Sequence, residues 1–346
     1  MPIVTAAGHP DRLVVLESFP EPRSTTNPYL VQLMRSLPAD VQVMTFTWRR
    51  ALTASYDVFH VHWPEILPRG TTRARTAARR LLTAALLLRL TVRQTPMVRT
   101  LHNTGPHEPG GRLERALLRW CDRRTTLWIR LTPSTVAPSD GPVVTIPHGH
   151  YRDWFADLPL APAEPGRILF FGLVRPYKGV EDLLDAFAEV PDGISRLRLV
   201  GRTTDDSVRE RVERAVLADP RIGARLEYVG DAELADEISR AALVVLPYRR
   251  LHNSGAAILA LSLGRPVLLP SGSTAEELAA EVGPGWVETF TPPLTGATLT
   301  SALAHSAGPD RAAAPDLSGR EWPAGGSAHA AAFRTAAALA RRGGRR

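Results

Sequence analysis

The chain of 346 residues holds 44% hydrophobic and 22% charged residues, a balance that excludes wholesale disorder, and its length predicts two domains. The formal charge of +7 is unevenly placed: residues 1–158 hold 20 arginines against 12 acidic residues, and the remainder holds 22 basic against 23 acidic residues. A basic first half predicts an anionic partner, either a phosphorylated substrate or an anionic membrane surface, and the lack of interleaved stacking aromatics speaks against nucleic acid. The single cysteine, Cys121, can form no internal disulfide and reads as a packing residue of a helix. The first twenty residues show no secretory pattern, and the cleanest apolar run, Leu81 to Leu88, falls short of a bilayer span. A cytoplasmic protein, peripheral on the inner face of the plasma membrane if attached at all, is the expectation.

Short β-rich runs alternate with helical stretches through the first half, at 12–17, 41–46, 57–62, 96–102, 126–132 and 142–147. The loop Glu17-Ser18-Phe19-Pro20 leads to Asn27-Pro28-Tyr29, where Asn27 and Tyr29 suit an acceptor-binding rim as well as they suit a turn and a staple. His60, His62 and Glu65 follow the third strand, and His102, Asn103, His107 and Glu108 follow the fourth. An imidazole at a strand end can serve as general base near neutral pH, so His102 is the first candidate, with Glu65 and His62 behind it. The spacing completes no zinc ligand set, so no metal is expected. Between these strand ends, residues 73–93 wind into a helix with two apolar arcs. Leu81, Ala84, Ala85 and Leu88 form one arc, predicted to pack on the sheet. Leu82 and Leu86 form the other, bracketed by Arg75, Arg79, Arg89 and Arg93, and suit shallow burial among anionic headgroups or a core helix with snorkelling arginines.

The proline-rich stretch at 159–166 reads as a linker. It separates an N-terminal domain, 1–158, from a C-terminal domain, 167–320, with a final helix and basic tail at 321–346. Six further strands are predicted at 167–171, 197–200, 225–229, 243–246, 266–269 and 285–288. The fold class is thus α/β with two Rossmann-like parallel sheets, and ligands are expected at a cleft beyond the strand C-termini. No G-x-G-x-x-G follows the first strand of either half, which speaks against a dinucleotide oxidoreductase.

Phosphate chemistry is written most clearly in Phe170-Phe171-Gly172-Leu173-Val174-Arg175-Pro176-Tyr177-Lys178-Gly179. A strand empties into a glycine turn where Gly172 admits a ligand to the backbone, Arg175 can grip oxygens bidentately, and Lys178 brings a compact charge. Lys178 is the one lysine among 42 basic residues. Gly201 and Arg202 end the next strand, and Tyr248 to Gly255 runs through Asn253 to Ser254, an N-cap whose helix start can hold a diphosphate.

Together these segments resemble GT-B glycosyltransferases of the family 4 type, through FFGLVRPYKG, LVGR, EYVGDAELADEISRAALVVLPY and the small-residue helix before GRPV. The likeness is greater to bacterial transferases that move mannose from GDP-mannose to polyprenyl-linked oligosaccharides, through TTNPYLVQL, FHVHWPE, TLHN, IPHGHY and HNSG. The resemblance implies an enzyme, a hexosyltransferase, with two Rossmann-like domains around a cleft, a nucleotide-sugar donor, a glycolipid or glycan acceptor and no cofactor. It implies donor phosphates on Arg175 and Lys178 and on amides at Ser254 and Gly255, with an inverting transfer. Where many members carry E-x7-E, this chain has Leu251 and Leu259. That departure leaves a retaining transferase with another donor, or a non-catalytic nucleotide-sugar binder, as alternatives.

Overall fold

The computed structural model describes residues 12–102, 110–191, 193, 195–249, 254–309 and 311–343. It divides into two compact units, Met1–His148 with Trp322–Arg346, and Gly149–Glu321.

The first unit alternates β1 (Leu13–Glu17), α1 (Pro28–Ser36), β2 (Val41–Met44), α2 (Trp48–Thr53), β3 (Val58–Val61), α3 (Arg73–Val92), β4 (Met97–Leu101), α4 (Arg112–Arg124), β5 (Thr125–Arg130) and β6 (Val143–Thr145). Its six-stranded sheet runs β2-β1-β3-β4-β5-β6 with every pairing parallel. A parallel sheet is covered on both faces, so its central strands are apolar almost throughout. Val58, Phe59 and Val61 of β3 are all at most 1% exposed.

The second unit holds β7 (Arg167–Phe171), α5 (Val180–Ala188), β8 (Arg196–Val200), α6 (Asp206–Ala218), β9 (Ile222–Arg225), α7 (Asp231–Ser239), β10 (Leu243–Val245), α8 (Gly255–Ser262), β11 (Val267–Pro270), α9 (Ser273–Val282), β12 (Val287–Phe290) and α10 (Gly296–Ser306). Its parallel sheet runs β12-β11-β10-β7-β8-β9. Eleven of the twelve strands overlap the expected runs closely. The strand expected at 225–229 instead ends at Arg225, because Ile222 is the buried residue that registers against Leu197. Residues 149–158 belong to this unit, where Tyr151 and Phe155 enter its core.

The last helix, α11 (Trp322–Gly343), belongs to the first unit and packs on α1 and the sheet. Phe333, Ala330 and Ala336 join the core of β1, β3, β4 and β5. Gly326 sets how closely it packs: a β-carbon there would lie 2.0 Å from the Ser36 carbonyl oxygen.

The two arcs of α3 are reversed from the expectation. Leu86 is fully buried with Leu87 and Leu90, packed with Leu16, Phe59 and Met97, whereas Leu81 and Leu88 are 73% and 56% exposed. The buried arc continues through Thr83, whose hydroxyl is satisfied by the Arg79 carbonyl at 2.7 Å. Arg89 does not flank a lipid-facing surface either: its guanidinium donates to the Tyr56 hydroxyl and the Ala54 carbonyl.

Candidate active site

In the second unit, three strand ends interlock through glycine. Gly172 follows β7 with φ of +109°, a conformation that side-chain-bearing residues rarely adopt, and open space lies where its β-carbon would be. Gly201 follows β8 at φ +143°, and a β-carbon there would sit 1.9 Å from the Gly172 carbonyl oxygen. Gly179, at φ +68°, brings the β7 turn against the end of β10, where a β-carbon would meet the Pro247 carbonyl oxygen at 2.0 Å. Backbone bonds reinforce the junction: Val174 N–H donates to Arg202, and Arg249 N–H donates to Tyr177.

This packing places Lys178 Nζ 3.5 Å from the centre of the Tyr248 ring, with the Tyr177 ring at 5.5 Å. Burial, with the Arg175 guanidinium nearby, lowers the ammonium from its usual 10.5 to about 8. The Tyr248 hydroxyl bonds Ser254 and is pushed up, chiefly by burial. Ser254 Oγ caps α8 by accepting from Ala257 N–H at 3.0 Å. The structure therefore brings Gly172, Arg175, Lys178, Gly201, Tyr248 and Ser254 into linked positions, with Gly255 opening the helix. Arg202 lends its carbonyl to the junction and extends its side chain into solvent. Arg249 is bound bidentately by Asp182. Asn253 and Leu251 lie outside the described residues, and Leu259 is core.

In the first unit, the ends of β1, β3 and β4 gather a histidine cluster. Glu17 and His60 are register partners on β1 and β3, and His62, two residues on, shares the His60 face. Glu17 Oε1 meets His60 Nδ1 at 2.9 Å, and its Oε2 meets His62 Nε2 at 3.1 Å, all three residues being essentially inaccessible. His60 Nε2 meets Thr100 Oγ1 at 2.8 Å, and His62 Nδ1 meets His102 Nε2 at 3.0 Å. Trp63 stacks on the His102 ring at 4.3 Å.

Burial pushes the Glu17 carboxyl up, but attraction and hydrogen bonds from the two histidines outweigh it and hold it at about 2. Burial drives His62 down to about 4 and His102 well below its ordinary value. Glu17, His60 and His62 also offer three ligand atoms within 4.8 Å of one another. The two carboxylate oxygens divide between two imidazoles, one each, at hydrogen-bond distances. That suits two N–H donors better than one shared ion.

His102 and His62 are thus brought together. Glu65 is half-buried in the short 3₁₀ turn Pro64–Ile66 and makes no hydrogen bond or ion pair among the described residues. Asn27 caps α1, accepting from Tyr29 N–H at 3.0 Å, while Tyr29 is buried with its ring against His102 and His148. Asn103, His107 and Glu108 lie outside the described residues. The sequence reading missed Glu17 as the hub. Its one signal was an acid closing the otherwise apolar strand Leu13–Glu17.

Two six-stranded parallel sheets, the second carrying a cationic, glycine-lined cradle at its strand ends, define a GT-B type glycosyltransferase. A profile of the family described as Glycosyl transferases group 1 matches residues 165–293. Over 330 residues the chain is 48% identical to a GDP-mannose:glycolipid 4-beta-D-mannosyltransferase of Xanthomonas campestris pv. campestris, across 95% of this chain and 94% of that protein. It belongs to the same family of group 1 glycosyltransferases. Solved structures share the fold at low identity. Anabaena HepE in complex with UDP has a TM-score of 0.59 at 13% identity, covering 96% of this chain and 98% of that one. Sucrose-phosphate synthase from Thermosynechococcus elongatus has 0.60 at 15%, with the same coverages.

Proposed function

We propose that this enzyme transfers mannose from GDP-mannose to a hydroxyl of a glycolipid, with inversion at the anomeric carbon. The observation that carries the donor half is Lys178, held over Tyr248 beside Arg175 and the capped start of α8. Mannose, the guanine base and the lipid acceptor are supported by the 48% identity to the xanthomonad enzyme, whose name states them. In the reaction, His102 takes the acceptor hydroxyl proton as the oxygen bonds to the anomeric carbon. The bond from that carbon to the phosphate oxygen breaks, and GDP departs with the electron pair. Lys178, Arg175 and the amides of α8 meet the negative charge that grows on the diphosphate, a role that a divalent ion plays in other transferases. The test mixes GDP-mannose with a lipid-linked oligosaccharide acceptor and follows GDP release and product anomer. Release of GDP with a β-linked product is expected; an α-linked product removes the inverting mechanism, and turnover only with another nucleotide sugar removes the donor assignment.

A glycolipid acceptor calls for a membrane, and the first unit offers a surface suited to its inner face. Along α3 the exposed residues Leu81, Ala85, Leu88 and Val92 form one stripe at helical spacing. The adjoining α4 exposes Arg112, Arg115, Arg119 and Arg123. Leucines entering the headgroup layer, with arginines on its phosphates, make a peripheral contact. No helix among the described residues is long and apolar enough to cross a membrane.

A further inference from the structure

We infer that Glu17 is a positioning residue that acts through His62 to fix which nitrogen of His102 carries the proton. The inference deepens the assignment of His102 as base and rests on it. Its foundation is a count of protons along four hydrogen-bonding groups. An ionised carboxylate only accepts, so His60 Nδ1 at 2.9 Å and His62 Nε2 at 3.1 Å must each donate to Glu17. A neutral His62 has one N–H, already used at Nε2, which leaves a lone pair on Nδ1. The group facing that lone pair is His102 Nε2 at 3.0 Å, which must therefore carry the proton. A neutral His102 then has its lone pair at Nδ1, the form in which that atom can accept a proton.

The surroundings favour these protonation states. Glu17, held at about 2, is ionised at neutral pH, and His62, lowered to about 4 by burial, is neutral. The positions are built into the sheet, since Glu17 and His60 are register partners and His62 repeats the His60 face. His102 follows β4, the next strand across, and β3 pairs with β4 in parallel register. When the acceptor hydroxyl reacts, its O–H bond breaks, an Nδ1–H bond forms on His102, and the electron pair stays with the attacking oxygen. The imidazolium so formed is linked through His62 to the Glu17 carboxylate, which offsets its charge. No further group needs to gain or lose a proton.

Glu17→Gln makes the inference testable, because an amide offers one acceptor and one donor where the carboxylate offered two acceptors. If the amide oxygen of the variant keeps His60, its NH₂ must donate to His62 Nε2. His62 then carries its proton on Nδ1, and His102 is turned to the Nδ1–H form, which cannot act as base there. Full-length protein labelled with ¹⁵N-histidine, read at neutral pH by long-range proton–nitrogen correlation, reports each tautomer directly. Wild type should show Nε2–H at both His62 and His102, and Glu17→Gln should show Nδ1–H at both. The same variant should lose about 10²–10⁴-fold in kcat with the donor KM little changed.

A His102 tautomer unchanged in Glu17→Gln while His60 keeps its proton on Nδ1, the sign that the amide oxygen still faces it, overturns the inference. So does Nδ1–H on His102 in wild type, a reading that holds even if the variant fails to fold. Stoichiometric zinc in the purified protein, with metal-shifted nitrogens on His60 and His62, overturns it as well. Full kcat in His102→Ala removes His102 as base, and the tautomer spectra still decide the role of Glu17.

Discussion

The proposed placement of Lys178 on the donor diphosphate predicts a pH dependence of binding that can be measured without the acceptor. Its ammonium is lowered from 10.5 to about 8 by burial and by Arg175. The shift corresponds to about 3 kcal/mol of disfavoured charge. Occupancy by a nucleoside diphosphate should raise the lysine back above the measured range. The folded free enzyme then holds its proton below pH 8 and releases it above, while the complex keeps it throughout. Binding should be independent of this group below pH 8 and weaken about tenfold by pH 9, each tenfold step costing about 1.4 kcal/mol. Calorimetry with GDP near pH 8, in buffers of different ionisation enthalpy, should show uptake of about half a proton from this group. Lys178→Met serves as the reference, since titration of the nucleotide itself is common to both proteins. Lys178→Arg should bind with a flat profile, because a guanidinium stays charged. Wild-type and Lys178→Met profiles that run parallel would refute the placement of Lys178 on the diphosphate.

Gly179→Ala should lose donor binding before it loses the fold, because its φ of +68° and the Pro247 carbonyl at 2.0 Å leave no room for a methyl group; a thermal shift with GDP equal to wild type would contradict this. Stability should fall as pH drops below about 6.5, because His62 and His329 are held neutral by burial, at about 4 and about 3, and the unfolded chain takes up protons first. By pH 5 each should cost about 2 kcal/mol in urea unfolding, His102, also lowered by burial, adds a third histidine contribution, and Glu17 adds to the loss only below about 4.5 as pH falls toward 2; His329→Leu should remove one of the three histidine contributions. On α3, Leu86→Ser should destabilise by about 2–5 kcal/mol as a core lesion, whereas Leu81→Ser with Leu88→Ser should leave stability intact and weaken sedimentation with anionic vesicles. Wild-type vesicle binding in the second variant would remove the membrane surface.

The alternation of strands and helices was legible because a buried parallel strand must be nearly all apolar, and such runs punctuate both halves. The glycine junction around Lys178 was legible for a different reason. Gly172, Gly179 and Gly201 each stand at a strand end or helix start where only glycine fits, and a lone lysine between two of them marks a chosen charge. The arcs of α3 were not legible. Leu81 with Leu88, and Leu82 with Leu86, give a helical wheel two apolar arcs, and a wheel holds no information about where the sheet lies. What decided the outcome was the face of Thr83, Leu86, Leu87 and Leu90, which takes Leu86 from one arc, leaves Leu81 and Leu88 of the other exposed, and tolerates a hydroxyl only because that hydroxyl bonds the preceding turn.

The histidine cluster shows the same limit at closer range. His60, His62 and His102 were visible as residues at strand ends, but their roles depend on which atoms face one another, and that follows from strand order. Because β1 lies beside β3 rather than beside β2 alone, Glu17 stands across from His60, 43 residues away in the chain. A carboxylate that reads from sequence as the polar start of a loop is thereby buried between two imidazoles, where attraction outweighs the cost of burial and keeps it ionised. The same neighbours place Tyr29, which reads equally as a rim residue or a staple, against His102 and His148 inside the unit. A base identified by residue type alone is therefore half an assignment; the other half is the proton on its second nitrogen, which the proposed Glu17–His62 linkage sets from another strand.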